Sequence, residues 1–202
     1  MSKTLERRAK QRESLIDAAE RAISAKGLAG LKTRDLAQEI GVANGAVYNL
    51  VADVDELVLM VGSRTLARLD AELSAAESAG PPMPAETLVR IALAYCDFAA
   101  DNLELWRALF EYRMTSDKPL PDWSISDQMH LFRHIHQPLA LLFPQRSAEE
   151  LSLTARSMFS AVHGMVALGL EQKLIAVPLP ALRQAITTIV KAMVTGLVAN
   201  AS

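Results

Sequence analysis

The chain has 202 residues, of which half are apolar and 22% are charged, and its net charge is −2. This composition excludes a disordered or fibrous chain and supplies enough apolar material for one or two domains with a substantial core. The single cysteine, Cys96, excludes an intramolecular disulfide framework and a multi-cysteine zinc site, and it fits a reducing compartment.

The N-terminal part of the chain predicts three short helices and the start of a long fourth, because its apolar residues recur at helical spacing. Lys26 and Gly27 supply a cationic last turn and a glycine C-cap. Thr33 has the chemistry of an N-cap, and Gly41 ends the helix that it opens. The first predicted helix ends at Gly27, the second and third cover residues 33–41 and 44–51, and the fourth runs from Asp53 or Asp55 to about Glu77.

Five further helices are predicted beyond the Gly80-Pro81-Pro82 break. No segment alternates with period two for more than a few residues, so no strand is expected. Pro138 lies within one predicted helix and is expected to kink or split it. The prediction is an all-α protein of about nine helices, with the last five at about 85–101, 103–115, 125–143, 147–173 and 180–199.

The second and third helices have the spacing of a helix-turn-helix. Ala37 is small because the next helix crosses close over it, and Gly41 supplies the left-handed backbone that a tight turn needs. Apolar contacts that would fix the two helices come from Leu36, Ile40, Val42, Val47 and Leu50. The alternative is a pair of surface helices joined by a glycine turn. We therefore predict a helix-turn-helix domain at 1–53 and a larger helical bundle at 54–202.

The stretch from Ser14 to Leu57 resembles the DNA-binding domain of TetR-family transcriptional regulators. The matching features are Ala18-Ala19, the break at Gly27, the entry Thr33-Arg34-Asp35-Leu36-Ala37, Gly41-Val42, Gly45-Ala46-Val47-Tyr48 and Asp55-Glu56-Leu57. The resemblance implies a cytoplasmic homodimer that binds a palindromic double-stranded DNA operator. It also implies a repressor that a small molecule, bound in the C-terminal domain, releases from DNA.

Three positions depart from the family pattern. Ala43 stands where the family has a Ser or Thr cap, which leaves the capping role to Asn44. Leu50-Val51 replace the common His-Phe, and Val54 replaces a lysine that meets a phosphate. DNA affinity is therefore expected to depend more on the N-terminal arm.

DNA contacts divide into phosphate contacts, which supply affinity, and base contacts, which supply sequence preference. Thr33 lies at a helix N-terminus, where backbone N–H groups favour an anion. Tyr48 matches the family's phosphate-binding phenol, although it could instead be a half-buried aromatic residue between two helices. We assign phosphate contacts to Lys32, Thr33, Arg34 and Tyr48, and major-groove contacts to Asn44, Gly45, Ala46 and Asn49. The methyl groups of Ala46 or Val47 could meet a thymine methyl, and the absence of Arg and Lys here predicts an A·T-leaning half-site.

Charge is unevenly distributed along the sequence. Residues 1–50 hold 9 basic and 6 acidic side chains, whereas residues 51–202 hold 12 basic and 17 acidic ones. This asymmetry predicts an anionic partner for the N-terminal part. The basic side chains before residue 13 suit either an arm that reaches DNA or a solvated tail. They are Lys3, Arg7, Arg8, Lys10 and Arg12.

The last two helices are the candidate dimer interface, because each has apolar residues on more than one face. Gly164, Gly169 and Gly196 permit close approach of backbones. Alternatively, both helices complete a monomeric bundle. The two apolar stripes are Leu151, Ala155, Met158, Phe159, Val162, Val166 and Leu170, and Leu182, Ile186, Ile189, Val190, Met193 and Leu197.

An effector pocket within helices five to eight would be largely apolar with a few polar groups, and it would suit a largely apolar small molecule. Ala161-Val162-His163-Gly164 resembles the signature of a TetR C-terminal subgroup named for Trp-His-Gly, with the Trp missing. His163 suits either a satisfied core position or a polar anchor in a cavity, and the other candidates equally suit a plain core. The proposed ligand residues are Tyr95, Trp106, Phe110, Met158, Phe159 and His163.

A different class of function would use the histidine cluster His130, His134 and His136 as a metal site in a helical metalloenzyme or metal sensor. No Glu follows the first His as in a metalloprotease helix, and no nucleophile elbow or glycine-rich phosphate loop is present in the sequence. We therefore expect no catalysis, no cofactor and no metal. The longest uncharged apolar run, residues 157–170, is shorter than the roughly 18–20 residues of a membrane span, so no membrane association is expected.

Overall fold

The computed structural model describes residues 3–115, 118–172 and 176–200, and within these ranges all regular structure is helical, which confirms the all-α prediction. Two short 3₁₀ helices, Leu28–Gly30 and Asn44–Asn49, stand among nine α-helices in the described ranges. The α-helices are α1 (Lys3–Lys26), α2 (Thr33–Glu39), α3 (Val54–Ser78), α4 (Pro84–Asp101), α5 (Leu103–Glu111), α6 (Asp122–Leu131), α7 (Arg133–Leu142), α8 (Ala148–Leu170) and α9 (Leu179–Ala199).

The chain forms two compact units. The N-terminal unit contains Met1–Ala67 and Asn102–Ile125, and the C-terminal unit contains Arg68–Asp101 and Ser126–Ser202. α3 is one continuous helix that contributes its first part to one unit and its last part to the other. The packing thus places α5 in the N-terminal unit. The functional division at residues 53 and 54 stays a prediction.

The core of the N-terminal unit forms around the buried face of α1. Gly27 ends that helix with φ of +63°, and its N–H bonds to the carbonyl of Ile23 at 2.7 Å, which confirms the predicted C-cap. α5 packs on α1 and adds Leu105 and Ala108 to this core. The other core residues are Leu15, Ile16, Ala18, Ala19, Ile23, Leu36, Ala37, Val47, Leu50, Val51, Leu57 and Val61.

The C-terminal unit is a bundle in which α4 packs against α7, α8 and α9, and α8 packs against α7 and α9. α8 begins with a capping box. The Ser147 hydroxyl accepts from the Glu150 N–H at 3.2 Å, and the Glu150 carboxylate accepts from the Ser147 N–H at 2.8 Å.

Three local predictions need correction. Thr33 is the first helical residue, and Lys32 precedes it as the N-cap. Neither Ala43 nor Asn44 caps with a side chain, and the helix that follows is 3₁₀ rather than α. The predicted helix 125–143 divides at Phe132 and not at Pro138, because starting α7 at Arg133 leaves Pro138 in its second turn, where one backbone hydrogen bond is lost.

Candidate functional site

The turn between α2 and the Asn44–Asn49 3₁₀ helix has helix-turn-helix geometry. Gly41 has φ of +70°, and a Cβ built on it would meet no atom within 4 Å. Glycine is therefore required there by backbone conformation and not by space. The Val42 N–H bonds to the Ala37 carbonyl at 2.9 Å and closes the turn.

The residues assigned to DNA lie on the surface around this turn. Val47 is 1% exposed and packs in the core, so its methyl groups do not reach a base and that part of the prediction is wrong. Tyr48 is 52% exposed, which places its phenol on the surface and not between two helices. Lys32, Arg34, Asn44, Gly45 and Asn49 are also exposed, whereas Thr33 and Ala46 are half-buried.

The basic N-terminal segment is helical from Lys3 onward, as the first part of α1. Arg12 in this segment bonds through Nη2 to the Glu56 carboxylate at 2.7 Å. Its other cations, Lys3, Arg7, Arg8 and Lys10, are exposed. The described part of this segment is thus an ordered helical extension that carries four exposed basic side chains.

The start of α3 is fixed by carboxylates. The Asp53 side chain accepts from the Glu56 N–H at 2.8 Å and from the Lys118 ammonium at 2.9 Å. The bond from the Glu56 backbone and then the bond from Lys118 lower the pKa of Asp53. Asp53, and not Asp55, therefore caps this helix.

Asp55 is 2% exposed and forms a buried hydrogen-bonded cluster with the segment after α5. Its Oδ1 accepts from the Tyr112 hydroxyl, and from the Thr115 N–H and hydroxyl at 3.0 Å each. Burial and then the bond to Asp55 raise the pKa of the Tyr112 phenol. Sequence reasoning missed this cluster, because no local signal joins residues that are 57 and 60 positions apart.

Three of the six proposed ligand residues come together in the C-terminal unit. The Tyr95 hydroxyl and His163 Nδ1 are 2.7 Å apart, and the Phe159 ring lies edge-on to Tyr95 with centroids 5.7 Å apart. Phe132, which was not predicted, packs edge-on against Phe159 at 5.5 Å. Burial lowers the pKa of His163, which favours a neutral imidazole at pH 7.

The other three proposed ligand residues are not among these contacts. Trp106 and Phe110 are on α5 in the N-terminal unit, with ring centroids 5.4 Å apart. Met158 is buried on α8 in the C-terminal unit. The site that can be described is therefore the aromatic cluster of Tyr95, Phe132, Phe159 and His163.

The histidine cluster has a geometry that does not favour metal binding. His134 is fully buried, with its two ring nitrogens 2.8 Å from Glu77 Oε1 and 2.9 Å from Asp70 Oδ1. Both nitrogens thus face carboxylates in hydrogen bonds. Across the described ranges, no group of three or more His, Cys, Asp or Glu side chains is arranged to hold a metal ion.

Most of the two stripes predicted for the dimer interface are core of the C-terminal unit. The buried stripe residues are Leu151, Ala155, Met158, Val162 and Val166 of α8, and Leu182, Ile186 and Val190 of α9. Gly169 also lies inside, because a Cβ built on it would be 2.9 Å from Leu182 Cδ2. Outward-facing apolar residues remain on both helices, namely Leu153, Leu168, Ile189 and Val198, and Gly164 and Gly196 have open space at the Cβ position.

Comparison with known families matches both parts of the chain. Residues 15–50 match the model of bacterial regulatory proteins of the tetR family, and residues 88–193 match that of the tetracyclin repressor-like C-terminal domain. The chain belongs to the TetR family. It is therefore a TetR-family transcriptional regulator with a helix-turn-helix DNA-binding domain.

Solved structures share the fold of this TetR-family chain. A protein of unknown function from Rhodococcus sp. RHA1 has a TM-score of 0.74 and 21% identity, covering 92% of this chain and 94% of its own. RolR in complex with resorcinol has a TM-score of 0.69 and 16% identity, covering 98% and 93%. The TetR-family regulator PfmR from Thermus thermophilus has a TM-score of 0.59 and 15% identity, covering 91% and 98%. Among curated proteins, none matches this chain.

One described helix, α9, is long and apolar enough to cross a membrane by length and composition, and 22% of its apolar window is buried inside the protein. α9 packs on α4 and α8 as a helix of the C-terminal unit. A single such helix, packed in this way in a TetR-family regulator, is weak evidence for a membrane.

Proposed function

We propose that this TetR-family regulator is a cytoplasmic repressor that binds a palindromic operator as a homodimer and leaves it when a small molecule binds. The observation that carries the proposal is the exposed polar surface around the helix-turn-helix, in a chain whose two parts both match the family. One helix-turn-helix reads few bases, so a two-fold dimer with recognition helices about 34–36 Å apart is expected.

Phosphates are contacted by the surface at the start of α2. Lys32 and Arg34 are exposed there, and Thr33 opens the helix whose first N–H groups favour an anion. Tyr48 adds an exposed phenol from the 3₁₀ helix. These four residues supply affinity that is independent of base sequence.

Bases are read by the 3₁₀ helix Asn44–Asn49. Asn44 and Asn49 are exposed amides, which can bond adenine bidentately in the major groove, and the Ala46 methyl can meet a thymine methyl. Gly45 lets the backbone approach the groove. Because this helix contains no Arg or Lys, the half-site is A·T-leaning at the contacted positions.

The homodimer forms through the outward faces of α8 and α9. Leu168 and Ile189 are large apolar side chains that are more than a third exposed in the single chain. A second copy would remove them from water, and the open positions at Gly164 and Gly196 would let helix backbones approach closely. The two helices thus have apolar surface left over after their own core is filled.

The effector is a small, largely apolar aromatic molecule that binds beside Tyr95, Phe159 and His163. The ring faces and edges there favour aromatic partners, and a neutral imidazole favours an uncharged ligand. RolR, with the same fold, was crystallised with the aromatic diol resorcinol, so small phenols are the first compounds to test.

The experiment is selection of duplexes from a random double-stranded library, followed by titration of the selected duplex. Arg34→Gln should weaken binding to all sequences alike, whereas Asn49→Ala should relax base preference at one position in each half-site. Arg113→Gln, at an arginine of the same unit that lies outside the proposed DNA-contacting residues in the sequence, is the matched control and should leave binding unchanged.

Three results would each count against a part of this proposal. Failure of the wild-type protein to enrich any sequence would reject operator binding. A selected half-site that is rich in G at the contacted positions would reject the predicted A·T preference. The effector mechanism would be rejected if small phenols, resorcinol included, bind the protein without lowering its affinity for the duplex.

A further inference from the structure

A buried imidazole joins α7 to two carboxylates of α3 within the C-terminal unit. His134 has no exposed surface. Its Nδ1 lies 2.8 Å from Glu77 Oε1, and its Nε2 lies 2.9 Å from Asp70 Oδ1. Both distances are those of ordinary charge-assisted hydrogen bonds.

The two contacts of His134 together need more protons than a neutral ring between two ionised carboxylates supplies. An ionised carboxylate only accepts hydrogen bonds, and a neutral imidazole has a single N–H to donate. Asp70 also accepts from Arg133 Nη2 at 2.8 and 2.9 Å. Burial raises the pKa of Asp70, but the hydrogen bonds from Arg133 and His134 outweigh burial, so the pKa is lowered and Asp70 is ionised. The contact between His134 Nδ1 and Glu77 Oε1 therefore contains one further proton, which the two groups share.

The spacing of the two carboxylates makes this contact sensitive to the position of α3. Asp70 and Glu77 are seven residues apart, which is about two helical turns or roughly 10 Å along the axis. The single ring of His134 bonds to both carboxylates. A slide of α3 by a single turn, roughly 5.4 Å, would break at least one of these bonds and leave a buried ring nitrogen of His134 without its partner.

Polar side chains from three helices surround the same part of α3. His130 of α6 lies 3.7 Å from the Asp70 carboxylate. Arg133 of α7 also donates to the Ser74 hydroxyl at 3.3 Å. From α4, the Arg90 guanidinium donates to the carbonyls of residues 76 and 77 at 3.0 and 3.2 Å. The end of α3 is thus held by directional bonds, which define one register better than apolar packing alone.

We propose that Asp70, His134 and Glu77 form a register lock on α3, with His134 as the positioning residue, and that the locked register is the one that binds DNA. α3 continues without a break from residues 54–67 of the N-terminal unit into residues 68–78 of the C-terminal unit. Fixing its last turns therefore limits the registers that its first turns can adopt. The consequence for DNA rests on the proposed function, whereas the lock itself does not.

The lock is tested first without DNA. In ¹⁵N-labelled protein, the signals of both ring nitrogens of His134 should show that each takes part in a hydrogen bond. His134→Gln should speed amide exchange in residues 70–78 at least tenfold, and His136→Gln, two positions along α7, should not. Glu77→Gln keeps the size of the side chain and should have the same effect. It serves as the second variant if His134→Gln impairs folding.

The consequence for regulation is tested with the duplex selected by the wild-type protein, in the absence of any added small molecule. Loosening α3 lowers the fraction of binding-competent protein, so the apparent Kd should rise fivefold or more for His134→Gln and Glu77→Gln. It should not change for His136→Gln.

Each outcome has one meaning. A ring nitrogen of His134 that is in no hydrogen bond, or unchanged exchange in both lock variants, overturns the lock. Faster exchange with unchanged or tighter DNA binding overturns its assignment to the DNA-binding register. If the wild-type protein selects no duplex, the proposed function fails, and the labelling and exchange results still decide the lock.

Discussion

Two tyrosines in the N-terminal unit allow the stabilising and DNA-binding roles of a phenol to be separated. The Tyr112 hydroxyl donates to the buried Asp55 carboxylate. Tyr112→Phe removes this bond and leaves Asp55 with the Thr115 N–H and hydroxyl. Because a hydrogen bond to a charged group contributes about 1.5–3 kcal/mol, we expect the free energy of unfolding to fall by that amount. The matched change, Tyr48→Phe, removes an exposed hydroxyl and should alter the unfolding free energy by less than about 0.5 kcal/mol.

The assay is urea unfolding followed by circular dichroism at one protein concentration, since dimerisation would make the midpoint depend on concentration. With a slope of about 2 kcal/mol per molar urea, Tyr112→Phe should lower the midpoint by roughly 1 M. DNA affinity should show the reverse order. Tyr48→Phe should weaken binding to the selected duplex, whereas Tyr112→Phe should leave that binding nearly unchanged under native conditions. Equal destabilisation by both changes would refute the assignment of roles.

Alkaline pH gives the same prediction a second test. The pKa of the Tyr112 phenol is raised in the folded protein above its ordinary value of 10.0. A group with a raised folded pKa stabilises the fold fully below its unfolded pKa, and this contribution is lost as the pH rises from there through the folded pKa. The stability difference between wild type and Tyr112→Phe should therefore be constant from about pH 7 to 9 and shrink above about pH 10. A difference that grows in the alkaline range would contradict the reasoning.

Three further predictions follow from the surface and the turn. Gly41→Ala should destabilise the N-terminal unit by about 1–2 kcal/mol because of its positive φ, whereas Gly45→Ala, with open space and no positive φ, should be neutral in urea unfolding. Arg34→Gln should lower the salt slope of duplex binding by about 0.9 for each phosphate that is no longer neutralised, and an unchanged slope would remove Arg34 from the phosphate set. Ile189→Glu should shift sedimentation toward the monomer and weaken duplex binding without unfolding the chain, whereas Val190→Glu, at a buried position, should unfold it.

Features set by local sequence were predictable. The end of α1 at Lys26-Gly27, the glycine turn at Gly41 and the buried position of Ala37 follow from residues within a few positions of one another. The same holds for the division into helices, because prolines and glycines mark most of the boundaries. Here the physical cause and the sequence signal coincide.

Features set by long-range packing were not predictable from a single sequence. α5 is an amphipathic helix, and its pattern shows that one face is buried without showing which core it joins; Leu105 and Ala108 join the core of the N-terminal unit. α8 and α9 are apolar on several faces, so periodicity could not distinguish the internal face from the outward one. The contact between Asp55 and Tyr112 depends on the same packing of α5.

The charge of the N-terminal unit illustrates why position matters more than a sum. By sequence, the unit carries thirteen basic and thirteen acidic residues, so it is neutral as a whole. Several of its acids, however, are engaged within the unit: Arg64 bonds to Glu13 and Asp17, and Arg21 bonds to Glu39 at 2.7 Å. These pairs neutralise carboxylates that would otherwise repel phosphate.

Lys32 and Arg34 lie exposed at the start of α2, where the helix dipole adds to their positive charge. A surface that attracts DNA therefore requires no net positive charge on the unit. It requires that the acidic side chains be engaged by cations of the unit's own helices, while the cations beside the turn face solvent. Replacing Arg64 would on this reasoning weaken duplex binding without any contact to DNA, because it would release carboxylates whose field is screened only over about 10 Å at about 0.1 M salt.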